Sequence, residues 1–416
     1  MTINTQEQPK SHSKSLEFTI FLLFLLGPLT GNIINVLFGV LSLDFQVSPD
    51  NILNAIPAFM FPFAITQLFS GAISDIKGRI PVLIVGLILF AIAMLTAGLS
   101  FNLEMYIIAN IIGGIGFGFI NPVLIALMTD ITSPANIPKK LGYLGASANL
   151  GVGIGPLIAS QMILIGWQSI YVLFIIITCF CFIYFIKAKR PPQIIPDKSG
   201  IRIVFAQLSK EWRRFPVILM ILSAFLIAHT YLAINIWTSK TLAQTHVINE
   251  TLIGIVLGLA GVGAAITGLI TGNLIKKKGV RIPLLIGSLI LLCSLAILLV
   301  IGDINNPEKF TFLALGWILA GFSGGILFTT LTYYSQVLSP ERRGVLAGLL
   351  TAGYFTGIAL VPTTLAPFFN IFNITGVYIV ILLVSVIFII IMVLLYIFAK
   401  SVILEKGKLH TETKPS

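Results

Sequence analysis

Long apolar segments follow one another along nearly the whole chain, separated by short polar stretches. Each is about twenty residues long or longer, which is what an α-helix needs to cross a hydrocarbon core of about 30 Å. The apolar positions do not alternate with polar ones, so helices are favoured over the strands of a membrane barrel. Twelve transmembrane helices are predicted, over residues 18–43, 51–74, 80–99, 104–129, 141–165, 167–187, 215–238, 250–273, 281–301, 310–335, 343–369 and 374–399.

The composition agrees with a membrane protein. Of the 416 residues, 57% are hydrophobic and 10% are charged, whereas a soluble domain has about 25% charged residues. A water-soluble fold of this size has no means of burying so much apolar surface. All three cysteines lie inside apolar segments, so the sequence predicts no disulfide framework and no metal site. We therefore expect an all-α integral membrane protein, without a metal or another cofactor, surrounded by the lipid bilayer.

The basic residues predict the orientation in the membrane. If both termini are cytoplasmic, 24 of the 26 lysines and arginines lie in inner segments, and only Lys240 and Lys309 lie outside. Cytoplasmic segments of membrane proteins carry such an excess of positive charge. The net charge of +11 is therefore interpreted as a topology signal, not as a nucleic-acid-binding surface. A monomeric multi-pass protein of the plasma or inner membrane is predicted.

The two halves of the chain repeat each other. The sequence RIPVLIVGLIL at 79–89 returns as RIPLLIGSLIL at 281–291, and an offset of 206 residues places Gly142 on Gly348 and Pro156 on Pro362. Duplicated six-helix halves are typical of transporters, in which two bundles move about a site between them. The predicted units are an N-terminal bundle over 1–187, a cytoplasmic connector over 188–214 and a C-terminal bundle over 215–416.

The turn between the second and third predicted helices contains a charged motif. Gly71 and Gly78 allow close helix approach and a tight turn, and Asp75 places an anion at a helix end. That anion can pair with Arg79 or lie against the start of the eleventh predicted helix, beside Arg342 and Arg343. This pattern resembles the signature of the major facilitator superfamily, which implies the fold of that superfamily. With Asp130 as third member, we expect a cytoplasmic gate that closes when the site opens outward. In the alternative interpretation, these residues only fix the topology and the turn.

The fifth predicted helix carries a row of glycines. Gly142, Gly151, Gly155 and Pro156 have a spacing similar to the antiporter motif of the twelve-helix drug:proton antiporters. The family motif usually ends in two glycines, which are Ala and Ser at 159–160 here. Small residues let another helix approach closely, and a proline favours a bend. The pattern predicts a pliable contact between the halves, although ordinary helix packing produces similar rows.

Few polar side chains lie within the predicted spans, and such groups usually face the bundle interior or a wet cavity. The family resemblance implies a central cavity lined by helices one, four, seven and ten. The resulting candidates for substrate contact are Asn32, Asn35, Asn110, His229 and Asn235. For each asparagine, a hydrogen bond between helices is an alternative role.

Proton coupling has one candidate residue inside the spans. Related antiporters carry an arginine in helix four, where this chain has Asn110, and every Asp and Glu lies near the end of a span. His229 is the one deep side chain with a usual pKa near physiological pH. It is predicted either to carry a proton or to remain neutral and bond between helices.

Three function classes remain open. Proton-driven efflux of drugs or other small amphipathic compounds leads, because a cavity without a deep carboxylate favours neutral or weakly charged ligands. Uptake or facilitated transport of a sugar or another small metabolite is second. A membrane-embedded enzyme or receptor is third, because the chain has no HExxH or Walker motif.

Overall fold

The computed structural model describes residues 14–133, 136–187, 211–245, 248–302, 307–339 and 343–412. These residues form helices and no strands, and eleven helical stretches among them are long and apolar enough to cross a membrane. The last stretch, Val345–Ala399, contains two of the twelve predicted segments, separated at Asn373, which has a φ of 53°. The predicted all-α membrane fold is confirmed.

The first half of the chain supplies six spanning helices. Helix α1 is interrupted at Ile33, and a short helix, Pro49–Ile52, precedes α2. The helices are α1 (Lys14–Asn32 and Ile34–Asp44), α2 (Ala55–Lys77), α3 (Arg79–Gly98), α4 (Leu103–Asp130), α5 (Ile137–Met162) and α6 (Gln168–Lys187).

The second half repeats this series after the predicted connector, of which residues 188–210 lie outside the described residues. Helix α7 contains a π-helical turn, Ala228–Leu232. The helices are α7 (Phe215–Ile227, Ala228–Leu232 and Ala233–Thr245), α8 (Glu250–Lys278), α9 (Arg281–Ile301), α10 (Phe310–Val337), α11 (343–372) and α12 (374–412).

The sequence repeat has a counterpart in the backbone. Gly78 between α2 and α3 has a φ of 98°, and Gly279 between α8 and α9 has a φ of 76°. A side chain at this φ is strained, so glycine is the residue that permits each tight turn. The same turn therefore joins the second and third helices of each half.

The helices pack first within each half and then across the molecule. Helix α4 packs against α2 and α3, and its counterpart α10 packs against α8 and α9. Between the halves, α5 packs against α8, α2 packs against α11, and the outer part of α1 packs against α7. The halves thus meet along two long helix pairs.

Close contact between the halves is concentrated toward the predicted outer side and the middle of the membrane. A Cβ added at Gly153 of α5 lies 2.8 Å from the backbone of Gly261 in α8. At Gly142 and Gly145, nearer the predicted cytoplasmic end of α5, an added Cβ meets no described atom within 4 Å, and the same holds for Gly272 of α8. The described ends of α5 and α8 therefore leave open space on the predicted cytoplasmic side.

Candidate functional site

The charged cluster predicted at the cytoplasmic side is formed in the structure. Arg79 makes an ion pair with Asp75, and its Nε donates to Oδ2 of Asp130 at 2.9 Å. Its Nη1 also donates to Ser74 Oγ at 2.7 Å. The guanidinium is largely buried, whereas both carboxylates are more than a third exposed. The turn at Gly78 places Arg79 at the start of α3, so one arginine joins α2, α3 and α4.

All described members of this cluster belong to one bundle. Arg342, next to the start of α11, lies outside the described residues, so contact between the cluster and the second half stays a prediction. A Cβ added at Gly71 meets no described atom within 4 Å. The described geometry fixes the inner ends of three helices relative to one another.

The glycine row of α5 faces two different helices. Added Cβ atoms at Gly151 and Gly155 lie 2.5 Å from the carbonyl oxygen of Leu25 and 2.6 Å from that of Leu29, both in α1. These two motif glycines therefore pack within their own bundle, and the expectation that they form the contact between halves is wrong. Their side of α5 is the one that α1 covers.

The contact between halves uses the opposite small residues of α5. Gly153 meets Gly261, and a Cβ added at Gly254 of α8 lies 2.8 Å from the carbonyl oxygen of Pro156 and 2.2 Å from Ser160 Oγ. Pro156 and the small residue at 160 thus lie at the interface as predicted for the motif. Close approach of the two backbones leaves no room for a larger side chain there.

Two of the predicted substrate-contacting asparagines bond to their own helix. Asn32 Nδ2 donates to the carbonyl of Pro28 at 2.7 Å, and Asn110 Nδ2 donates to that of Tyr106 at 2.8 Å. Asn35 is buried, and its Oδ1 has no hydrogen-bond partner in the described part of the chain. Asn35 is therefore the asparagine of the three with a free buried acceptor.

The two candidates in α7 are held by neighbouring helices of their own bundle. Nε2 of His229 lies 3.1 Å from Oγ1 of Thr364 in α11, and Nδ1 lies 3.3 Å from the carbonyl oxygen of Phe225. Asn235 Oδ1 accepts from Nε1 of Trp317 in α10 at 2.6 Å. This geometry agrees with the alternative role of a histidine that bonds between helices.

One small cavity in the described part of the chain is lined by a single one of the five substrate candidates. A cavity of about 20 Å³ lies inside the N-terminal bundle and is lined by Asn110, Thr30 and Tyr106 among others, but by none of the other four candidates. Its volume suits about one water molecule. Sequence spacing places residues on a helix face but does not fix which neighbouring helix that face meets.

An aromatic contact joins the halves near the middle of the membrane. The ring centroids of Phe63 in α2 and Phe355 in α11 lie 4.3 Å apart. Tyr354 continues this group, because its hydroxyl lies 2.8 Å from that of Tyr231 in α7. The group offers π faces and two hydroxyls and no charge.

An ion pair at the predicted outer side was absent from the sequence predictions. Lys240 Nζ of α7 lies 2.6 Å from Asp50 Oδ1, although the two residues belong to different halves. Gln244 Nε2 also donates to Asp50 at 3.1 Å. The sequence contained one indication of this ion pair: Lys240 is one of the two basic residues that lie outside the predicted inner segments.

Comparison with known proteins assigns this architecture to a class of membrane transporters. The model of the Major Facilitator Superfamily matches residues 20–240 and 230–414. The chain therefore belongs to the Major Facilitator Superfamily and is a transporter.

Individual relatives agree with this assignment. The uncharacterised MFS-type transporter YceJ of Bacillus subtilis is 26% identical over 354 residues, which cover 83% of this chain and 84% of YceJ. Quinolone resistance protein NorA of Staphylococcus aureus (strain MRSA252) is 24% identical over 371 residues, covering 88% and 92%. The crystal structure of the nucleoside transporter NupG superposes with a TM-score of 0.70 at 12% identity, covering 92% of this chain and 100% of NupG, which supports the fold.

Proposed function

We propose that this protein exports small amphipathic or hydrophobic compounds, drugs among them, by alternating access driven by the proton gradient. It does so as a monomer in the plasma or inner membrane with both termini cytoplasmic. The observation that carries the proposal is the close contact of α5 and α8 at Gly153 and Gly261, where the antiporter-like helix meets the other half. A backbone contact with no intervening side chains lets two bundles tilt about one line.

The substrate class follows from the chemistry of the interface. Phe63 and Phe355 present aromatic faces between the bundles. No Asp or Glu lies deep in a described span, since Asp75 and Asp130 are at helix ends. A cation in a low-dielectric cavity needs an anionic partner, whereas a neutral amphipathic compound is held by shape, stacking and a few hydrogen bonds. The similarity to the quinolone resistance protein NorA supports the same class.

The test is flux through the purified protein in liposomes with an imposed pH gradient. Matched vesicles receive a neutral amphipathic dye, a cationic dye or a labelled hexose, with empty vesicles and a protonophore as controls. Movement of the neutral dye against its gradient, lost with the protonophore, is the expected result.

Two outcomes contradict the proposal. Hexose flux without dye flux assigns the protein to metabolite transport, the second class considered from the sequence. Dye flux that ignores the protonophore removes proton coupling but keeps the substrate class. In cells, deletion is expected to raise dye accumulation, and lower accumulation indicates uptake instead.

A further inference from the structure

The ion pair between Asp50 and Lys240, called the outer ion pair below, joins the two halves of the transporter. Asp50 lies in the short helix Pro49–Ile52 between α1 and α2, and Lys240 lies one turn from the end of α7. Nearby, a Cβ added at Gly39 of α1 lies 3.7 Å from that of Ala243. The ion pair therefore exists only while the outer ends of the two bundles are together.

The two charges of the outer ion pair are buried unequally. The side chain of Lys240 is 0% exposed, whereas that of Asp50 is 47% exposed. The ammonium lies 3.5 Å from the ring centroid of Phe369 and 5.2 Å from that of Trp237, both in the C-terminal half. The contact with Asp50 is an ion pair without hydrogen-bonding geometry, and the ammonium has no hydrogen-bond partner in the described part of the chain. The cation thus belongs to one half, with two aromatic rings of that half beside it, and the other half supplies its counter-charge.

We propose that the outer ion pair holds the outer side closed and that its separation accompanies opening toward the outside. A fully buried ammonium without a counter-charge is costly, and contact with aromatic faces offsets only part of that cost. When the outer ends separate, water reaches Lys240 and solvates its ammonium in place of the Asp50 carboxylate. The inference rests on the proposed alternating access, but it concerns which conformation is populated and not which compound moves.

The unequal burial makes the two partners respond differently to neutralisation. Asp50→Asn leaves a buried cation unpaired, so the closed arrangement loses stability and the outer side opens. Lys240→Met keeps the long apolar stem against Phe369 and Trp237 and leaves only a carboxylate that water already reaches. The double variant contains neither charge, so it is expected to resemble Lys240→Met instead of adding the two effects.

A single-cysteine reporter measures opening of the outer side without any substrate. Ala243→Cys is introduced into the full-length protein after Cys179, Cys181 and Cys293 are replaced by serine, because Ala243 is buried at the closed outer side. The rate of labelling by a membrane-impermeant maleimide from the outer side reports opening. We expect the rate to rise about tenfold with Asp50→Asn and about twofold with both Lys240→Met and the double variant.

A second ion pair provides the matched control. Lys140 Nζ lies 2.5 Å from Glu17 Oε2, but both residues belong to the N-terminal half. Glu17→Gln should leave the labelling rate unchanged. An Asp50→Asn rate equal to that of the parent, or an equal rise with Glu17→Gln, overturns the proposal. If the labelling order holds while dye flux is absent, the outer ion pair stands and the proposed substrate class fails.

Discussion

The charged groups at the two sides of the molecule are built on opposite plans. At the predicted cytoplasmic side, Arg79 takes both Asp75 and Asp130 from its own half, and the carboxylates are partly exposed. At the predicted outer side, Lys240 is fully buried and pairs with Asp50 of the other half. A contact within one bundle travels with that bundle, whereas a contact between bundles is lost when they part. The cluster at Arg79 is therefore suited to holding one bundle rigid. The pair of Asp50 and Lys240 depends on whether the two bundles are together or apart.

The largest loss of transport is expected from disrupting the backbone contact between α5 and α8 in the middle of the membrane. Gly153→Leu forces a side chain into the backbone of Gly261, and overpacking of this kind costs about 1–3 kcal/mol or more. We expect near-complete loss of transport and reduced thermal stability of the purified protein. Gly145→Leu, on the same helix where no described atom lies within 4 Å, is the control and should retain most activity. Equal losses would show that α5 tolerates no leucine at all.

The cytoplasmic cluster is expected to give the next largest effect. Asp75→Asn removes one of the two carboxylates on Arg79, and we expect transport to fall several-fold while membrane abundance is kept, measured by flux and immunoblot on the same vesicles. Asp130→Asn, which removes the other carboxylate, is the matched variant. Because all described members of the cluster lie within one half, labelling at Ala243→Cys should not change with either variant. Parallel loss of flux and abundance would reduce the cluster to a folding role.

Substitution of His229 in α7 should give the smallest loss of transport. It tests whether this histidine bonds between helices of one bundle or carries a proton. If His229 bonds α7 to α11, His229→Gln and Thr364→Val each remove the same contact, and such hydrogen bonds contribute about 1 kcal/mol. Both variants should lower flux about two- to fivefold and leave its pH dependence unchanged. Loss of pH-driven flux with His229→Gln alone would restore the histidine as the proton carrier.

Sequence patterns predicted the features that local chemistry determines. Hydrophobic length predicted the spans, and Gly78 predicted a tight turn, because each signal lies within one segment. The pairing of Arg79 with Asp75 was predictable for the same reason, since the two residues are four apart across the turn between α2 and α3. Asp130 was placed correctly because it ends the neighbouring helix on the same side of the membrane.

The remaining features depend on which helices meet, and no local pattern contains that information. Asp50 and Lys240 are 190 residues apart and in different halves, so neither residue predicts the other. Gly151 and Gly153 are two residues apart, yet they face α1 and α8 respectively. His229 finds Thr364 far along the chain. The candidate substrate residues were chosen by polarity, and packing divided them among different neighbours.

The π-helical turn at Ala228–Leu232 has a consequence for the angular register of α7. Each residue of an α-helix advances the direction of its side chain by about 100°, so one residue more or less before the outer part rotates everything after it by that angle. Asn235 and Lys240 both lie beyond the wide turn, and their directions are set together by it. Deleting one residue of the turn therefore swings Lys240 away from Asp50 and Asn235 away from Trp317 in a single step.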